Sequence, residues 1–313
     1  MIFNGDVPSA LKMELLRYYG ESDISYADTK FQKFFEMIKD GRQWVKIGRM
    51  WGTGAWTSQQ KGQAFPNRKP FEGAETTITP VPLGEEQSWN FQTVMEVLAA
   101  GHDIKKAAQN MAQMYPVSKD QQCADFIRAN AAIYDGQAMF ATAHPRRSVT
   151  LDGGTFDNTL IPSANVGITD AIMKQAVAQM AETNNIGENG EKINNRPNVV
   201  ICSKFRQSLE ADGVLHSVGP AGEISNTKNT IGQYLDQVEW WERLWYSGDT
   251  YTYWYLLKAM APNGLAYQDQ VELMVDAWQE HNPPVQKTLS WFAGAPGIGD
   301  WRCILRVKDL TPA

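Results

Sequence analysis

An α+β fold is expected for this 313-residue chain. One helical periodicity runs unusually far, from about residue 103 to 131. Several short apolar or alternating runs elsewhere have the period of strands. The two kinds of segment follow one another without the regular βαβ repeat of a parallel α/β protein. Hydrophobic residues make up 43% and charged residues 20%, with no biased tract, which is the composition of a globular chain. A chain this long buries about three-quarters of its unfolded surface. Eleven Trp, 11 Tyr and 12 Phe are an unusual supply of aromatic rings, suited to wide interfaces as well as to cores.

Residues 1–40 read as helical pieces broken by polar turns. Leu11, Leu15, Leu16 and Tyr19 recur at helical spacing, as do Phe31, Phe34, Phe35 and Ile38. The segment has no partner within itself, so it is expected to dock elsewhere. Residues 41–75 are punctuated by Gly41, Gly48, Gly52, Gly54, Gly62 and Gly73 and by Pro66 and Pro70, and they read as a long β-hairpin or extended loop. Trp89, Phe91, Thr93, Met95 and Val97 alternate as a half-buried strand does. Ile104, Ala107, Ala108, Met111, Met114 and Tyr115 then mark one face of a helix that Cys123, Phe126, Ile127 and Ala131 resume, with Pro116 expected to bend it without ending it. Turn residues dominate 132–166. Residues 170–183 read as a helix, and Val199–Cys202 as a buried strand with Ser203 as the N-cap of a helix through Ala211. Further strands are expected at 231–241, 250–259, 267–276, 285–292 and 300–308.

Charge is distributed in blocks. Between 41 and 70 stand six bases, Arg42, Lys46, Arg49, Lys61, Arg68 and Lys69, and no acid. Between 71 and 100 stand five acids, Glu72, Glu75, Glu85, Glu86 and Glu96, and no base. Opposite blocks of this kind suit surfaces that meet across an interface, although two solvated faces would give the same pattern. The net charge of −6 argues against sequence-independent nucleic-acid binding, which needs a basic excess. No run approaches the ~20 apolar residues of a membrane helix. The N-terminus lacks a basic then apolar leader, so the chain is expected to stay in the cytoplasm where it is made.

Catalytic spacing is absent. There is no phosphate-binding loop, no H-E-x-x-H, no G-x-S-x-G and no dinucleotide fingerprint. Gly48 to Gly54 is glycine-rich, but no helix pattern follows it to bind an anion. The four histidines lack helical partners, and Cys123, Cys202 and Cys303 show neither zinc nor disulfide spacing. No cofactor, metal or catalytic residue is expected. His144 with Cys123 or Cys202 could in principle form a nucleophile–base pair, and no local signature supports it. Asp236 and Glu239 read as solvated carboxylates.

The stretch Tyr134-Asp135-Gly136-Gln137-Ala138-Met139-Phe140 leading to His144-Pro145 resembles a segment of the Mu-like major head subunit family, among the tailed-phage major capsid proteins. Asn165, Ile168-Thr169-Asp170, Asn185-Ile186-Gly187 and Arg196-Pro197-Asn198-Val199-Val200-Ile201 follow in an order similar to theirs. The motif-level likeness spans 134–212, and the order of elements agrees over about 1–260.

The resemblance implies a Hong Kong 97-like phage capsid fold. On that reading 1–40 is an N-terminal arm and 41–86 an extended loop. Residues 87–160 form a peripheral domain with a spine helix at about 103–131. Residues 161–264 form an axial domain, and 265–313 are strands returning to both. It further implies a non-enzymatic shell subunit that forms hexamers and pentamers around double-stranded DNA, in a virion assembled in the host cytoplasm. Separate scaffold, portal and decoration proteins are its expected partners, with no membrane. The inter-subunit contacts would then fall on Arg42, Lys46, Arg49, Lys61, Arg68, Lys69, Glu72, Glu75, Glu85 and Glu86. The competing readings are an encapsulin-like compartment and a soluble Cys/His hydrolase.

Overall fold

A computed structural model describes residues 12–13, 16–17, 29–51, 71–90, 102–145, 155–162, 167–186, 192–216, 231–233, 235, 237–249, 251–261, 263–281 and 284–310. A short helix α1 (Phe31–Phe34) leads into β1 (Glu36–Lys39), the hairpin β2 (Val45–Trp51) and β3 (Phe71–Ile78), and β4 (Val81–Asn90). The helix α2 (His102–Ala129) follows, then the short strands β5 (His144–Pro145), β6 (Thr155–Phe156) and β7 (Thr159–Leu160). Next come α3 (Asp170–Ala178), β8 (Val199–Cys202), α4 (Phe205–Leu215), β9 (Gln237–Trp240) and β10 (Thr252–Leu257). The strands β11 (Leu265–His281), β12 (Pro284–Ile298) and β13 (Ile304–Asp309) complete the order. The fold is α+β, as expected.

Two mixed sheets organise these elements. One has the order β1-β11-β12-β4 and the other β7-β13-β10-β8-β9. In the five-stranded sheet, strand alternation sorts side chains into two cores. Val199, Ile201, Tyr255, Leu257 and Ile304 face a core with α1, α2 and Trp301. Val200, Cys202, Trp254, Leu256, Leu305 and Val307 face a second core, closed by Ile172, Met173 and Ala176 of α3 and Ala211 and Leu215 of α4. All three cysteines are buried free thiols, and burial pushes the Cys123 and Cys202 thiols up.

The segment before β1 departs from expectation. The phenylalanine run is helical only through Phe34, and Phe35 is already extended (φ −100°, ψ 134°). Residues 36–39, Ile38 included, form a strand parallel to β11, with Glu36 opposite Ala266. Phe31, Phe34 and Phe35 are fully buried in the first core, so this part of 1–40 docks within its own chain. Phe31 packs on Tyr267 and Phe34 on Trp241. Each buried ring stabilises by about 1.5–3 kcal/mol, more than one further helical turn of exposed chain would.

The helix α2 holds this arrangement in place. It runs unbroken through Pro116 for 28 residues. Its buried face differs from the apolar stripe read in the sequence: Met114 is exposed, whereas Lys119 and Asp120 are buried beside Cys123, Ala124 and Ile127. Asp120 Oδ1 accepts from the backbone N–H groups of Lys30 and Phe31, each at 2.9 Å. Its Oδ2 accepts from Trp241 Nε1 at 2.9 Å and Arg243 Nε at 2.8 Å. Lys119 Nζ lies 2.7 Å from Asp269 Oδ2 on β11 and donates to Tyr115 Oη at 2.5 Å. Glu239, expected to be solvated, pairs with Lys30 (3.5 Å) and Lys33.

Other boundaries moved for local reasons. The helix after β8 starts at Phe205, and Ser203 does not cap it. Gln207 Oε1 accepts from the Ser203 and Lys204 backbones, both at 3.1 Å, and the Ser203 hydroxyl donates to Tyr253 O at 2.7 Å. Thr169 does cap α3, which continues as a π-turn over Gln179–Thr183. The strand expected at 231–241 is only Gln237–Trp240, with a 3₁₀ turn at Ile231–Gln233. Likewise 300–308 opens as a 3₁₀ turn, Trp301–Cys303, before β13. The alternation from Trp89 begins at the end of β4, and 91–97 lies outside the described residues.

Two predictions follow from these buried groups. Asp120→Ala leaves two backbone donors, an indole and a guanidinium without their acceptor, so unfolding in urea should show a loss of about 3–5 kcal/mol. Asp120→Asn, which keeps one oxygen, should lose less; a loss below about 1 kcal/mol for the alanine variant would contradict the role of Asp120. The second prediction concerns alkali. Burial, then the charge of Asp269, pushes the Tyr115 hydroxyl up to about 12, and burial also raises Tyr255 and Tyr267. These groups hold their protons more tightly folded than unfolded, where tyrosine titrates near 10 and cysteine near 8.5. Their contribution is therefore complete below the unfolded values and is lost as pH rises toward the folded ones. Stability should be level to about pH 8.5 and fall steadily above it, with tyrosinate absorbance of the buried rings appearing only together with unfolding.

Candidate functional site

The charged hairpin is seated on the long sheet by its root. Ile47 of β2 and Ile78 of β3 form a small core with Ala266, against which Ile38 and Ala295 pack. This approach requires glycine on β12 and just beyond it. A Cβ at Gly297 would lie 2.5 Å from Ile78 Cγ1, and one at Gly299 2.5 Å from Ile47 Cγ2 and 2.6 Å from Asn263 O. The hairpin register runs from Val45 opposite Ile78 to Trp51 opposite Phe71, with a shift between Gly48 and Met50.

The ten residues named as contact candidates fall as follows. Arg42 is exposed and clasps Asp40, with Nε at 2.8 Å and Nη2 at 2.5 Å from Oδ2. That hydrogen bond holds the Asp40 carboxyl below its usual range. Lys46 pairs with Glu75 across the hairpin at 2.7 Å, both half exposed. Arg49 is in β2 and Glu72 in β3; Lys61, Arg68 and Lys69 lie outside the described residues. Glu85 and Glu86 are exposed on β4, opposite Ser290 and Leu289. Glu86 pairs with Lys287 at 2.9 Å, and Lys287 also reaches Glu280 at 2.8 Å. Glu85 has no ion-pair partner among the described residues. The structure thus joins the two blocks within one chain at Lys46–Glu75, and the partners Asp40 and Lys287 come from outside them. At exposed positions such pairs contribute about 0–1 kcal/mol each.

The stretch that carried the resemblance is organised around His144. Residues 131–139 form a tight turn in which Gly136 takes φ +79° and the Gln137 N–H donates to Asp135 Oδ1 at 3.0 Å. Asp135 Oδ2 lies 2.6 Å from His144 Nδ1. Asn158 donates to Met139 O (2.7 Å), and its Oδ1 accepts from the Ala141 N–H (2.9 Å) and faces His144 Nε2 (3.1 Å). The imidazole is fully buried and stacks on Trp301 at 4.0 Å. With one ring nitrogen against Asp135 and the other against Asn158, His144 pairs with neither Cys123 nor Cys202, and their raised thiols are the reverse of an activated nucleophile. That corrects the Cys/His pairing considered from composition. The motif is a packing device that joins the turn after α2 to the strands β5–β7. Sequence reasoning missed Asn158 and Trp301, which lie beyond it and carry no local signal.

Among the described residues no helix is long and apolar enough to cross a membrane, and no group of three or more His, Cys, Asp or Glu side chains could hold a metal ion.

No family profile and no curated protein matches the chain by sequence. Solved structures do match it, nearly end to end. The capsid of Myoviridae phage XM1 aligns over 92% of this chain and 92% of its own, at 11% identity and a TM-score of 0.54. The capsid of cyanophage P-SCSP1u aligns over 90% and 88%, at 10% identity and a TM-score of 0.54. The SrpI encapsulin of Synechococcus elongatus PCC 7942 aligns over 88% and 85%, at 7% identity and a TM-score of 0.50. By its architecture the chain therefore has the fold of the tailed-phage capsid proteins.

Proposed function

We propose that the chain is a major capsid protein, a non-enzymatic subunit that assembles with copies of itself into a closed icosahedral shell around packaged double-stranded DNA. The observation that carries this is the near-complete two-way overlap with phage capsid subunits. Hexamers and pentamers are the assembling units, with separate scaffold, portal and decoration proteins as partners, and the virion is the destination after assembly in the host cytoplasm. The domain reading follows the same line: 1–40 as arm, 41–86 as extended loop, α2 as the spine of a peripheral domain over 87–160, 161–264 as axial domain, and 265–313 returning to both.

Within this reading the basic hairpin, residues 41–70, lies on the acidic β3–β4 face of an adjacent subunit. Lys46 is already paired within its own hairpin, so it is a poor probe. Arg49, Arg68 and Lys69 are better ones. Their reversal to Glu should leave a folded, soluble subunit that fails to form shells, because like charges facing each other cost several kcal/mol at every repeated contact. Added salt should weaken assembly of the unaltered protein in the same direction. Electron microscopy of the purified protein and of the triple variant decides: normal shells from the variant would sink the hairpin contact, and a wild-type protein that stays monomeric would sink the shell reading.

An encapsulin-like compartment is the second reading, favoured by the SrpI match. Nuclease-treated particles that hold a cargo protein in place of DNA would decide for it.

A further inference from the structure

Strands β10 and β13 pair with Tyr253 opposite Lys308 and Tyr255 opposite Arg306. Side chains alternate along a strand, so these four share one face, with Tyr251 two residues before Tyr253. The reverse face of the same strands is buried in the second core. Two cations thus stand on a tyrosine-rich face of a central strand pair, and their surroundings are unusual.

Arg306 lies against two rings, its guanidinium carbon 4.6 Å from the Tyr253 centroid and 4.9 Å from that of Phe140. Its Nε donates to Thr159 Oγ1 at 3.3 Å. Among the described residues its two Nη groups have no hydrogen-bond partner and the side chain has no carboxylate partner. Lys308 Nζ lies 3.3 Å from the Tyr251 ring centroid and also has no carboxylate partner among the described residues. Arg128 nearby differs: it is paired with Asp125 and Asp249, each at 3.2 Å, and stacks on Tyr246. Between the end of α2 and this face lies an open cavity of about 220 Å³, walled among others by Arg128, Asp249, Tyr251, Tyr253, Tyr255 and Arg306.

A guanidinium packed against two rings and tied through Nε is restrained in position. Its remaining edge is the one that binds a carboxylate or phosphate through two parallel hydrogen bonds. Arg and Tyr together are also the residues most enriched at the energetic centres of protein interfaces. Arg128, Arg306 and Lys308 stand against Asp125 and Asp249, which are both paired with Arg128. The positive charge left over suits a single carboxylate and is too small for a run of phosphates. We propose that this face is a carboxylate-binding site that receives one Asp or Glu side chain from a second copy of the chain, held by the Arg306 edge with Lys308 beside it. The inference rests on the shell-subunit reading, which supplies the second copy.

The test mixes unlabelled and ¹⁵N-labelled protein under assembly conditions and treats it with a zero-length carbodiimide, which joins an amine to a carboxylate in direct contact. Mass spectrometry should find Lys308 peptides amide-linked to an acidic peptide of the other label. The double variant Arg306→Gln/Lys308→Gln, with its folding checked by circular dichroism and urea unfolding, should need an assembly concentration raised about tenfold or more. Arg306→Lys, which keeps the charge and loses the fork, should fall between. The proposal is overturned if Lys308 couples only within its own copy or not at all in associated protein, or if the folded double variant associates normally. Normal assembly by the variant with loss of enclosed DNA would likewise overturn it and assign the face to phosphate. Should the double variant fail to fold, the label-mixing result on unaltered protein decides alone. Mixed-label coupling in a small oligomer that never closes into shells would leave this inference standing while the shell reading fell; shells with Lys308 uncoupled would do the reverse.

Discussion

Two consecutive charges buried on one helix set the arrangement of the rest. Lys119 and Asp120 sit in the buried stripe of α2, and each reaches a different part of the chain. Lys119 ties the helix to β11 through Asp269, both side chains about 5% exposed. Asp120 gathers the start of α1 and the 241–243 turn. Neither charge is tolerable in that setting without its partners, since an unpaired buried ion costs several kcal/mol. The requirement is mutual: the helix can lie in only one register against the sheet, and Phe31, Phe34 and Phe35 can enter the core at only one place. Net stabilisation from such pairs is modest, so their contribution is best described as specificity of packing.

The parts of this fold legible in the sequence are those whose signal is local. The long helix, the hairpin strands on either side of the glycine-rich stretch, the four-residue buried strand β8 and the free thiols all follow from periodicity, punctuation or burial tendency. The parts that were not legible depend on distant partners. β4 contains Pro82 and Gly84, which argue against a strand, yet it forms because it occupies a sheet edge, where a missing N–H is harmless. Gly84 is required there, since a Cβ would lie 2.7 Å from that of Trp291 on the neighbouring strand. β11 and β12 run to 17 and 15 residues, longer than their alternation suggested, because each supports the other. Asp120 was invisible for a different reason: a lone acid within a helical stripe reads as a break in the pattern, and only the tertiary fold shows it to be the centre.

Within one chain the charge blocks meet at Lys46–Glu75, whereas Arg42 pairs with Asp40 and Glu86 with Lys287, both outside the blocks. Pairing of this kind keeps these charges partly satisfied within the single chain. The tyrosine face of β10 and β13 is the contrasting case. Its cations are stabilised by aromatic rings, and among the described residues no carboxylate pairs with either. That face gave no sign in the sequence, because Arg306 and Lys308 become neighbours of Tyr251 and Tyr253 only through strand pairing.

The order in which the strands enter the sheets has a consequence for synthesis on the ribosome. β1 is the first sheet strand in the described chain and lies beside β11; β12 separates β11 from β4; β13 lies between β7 and β10. Each sheet therefore stays open until residues beyond Leu265 have emerged, and Phe31, Phe34 and Phe35 must wait for Tyr267 and Ile298 to close their core. Contacts so far apart in sequence make folding slow and late. A truncated nascent chain would display neither finished sheet nor the seat on which the hairpin root rests, so neither core can close before β11 to β13 have emerged.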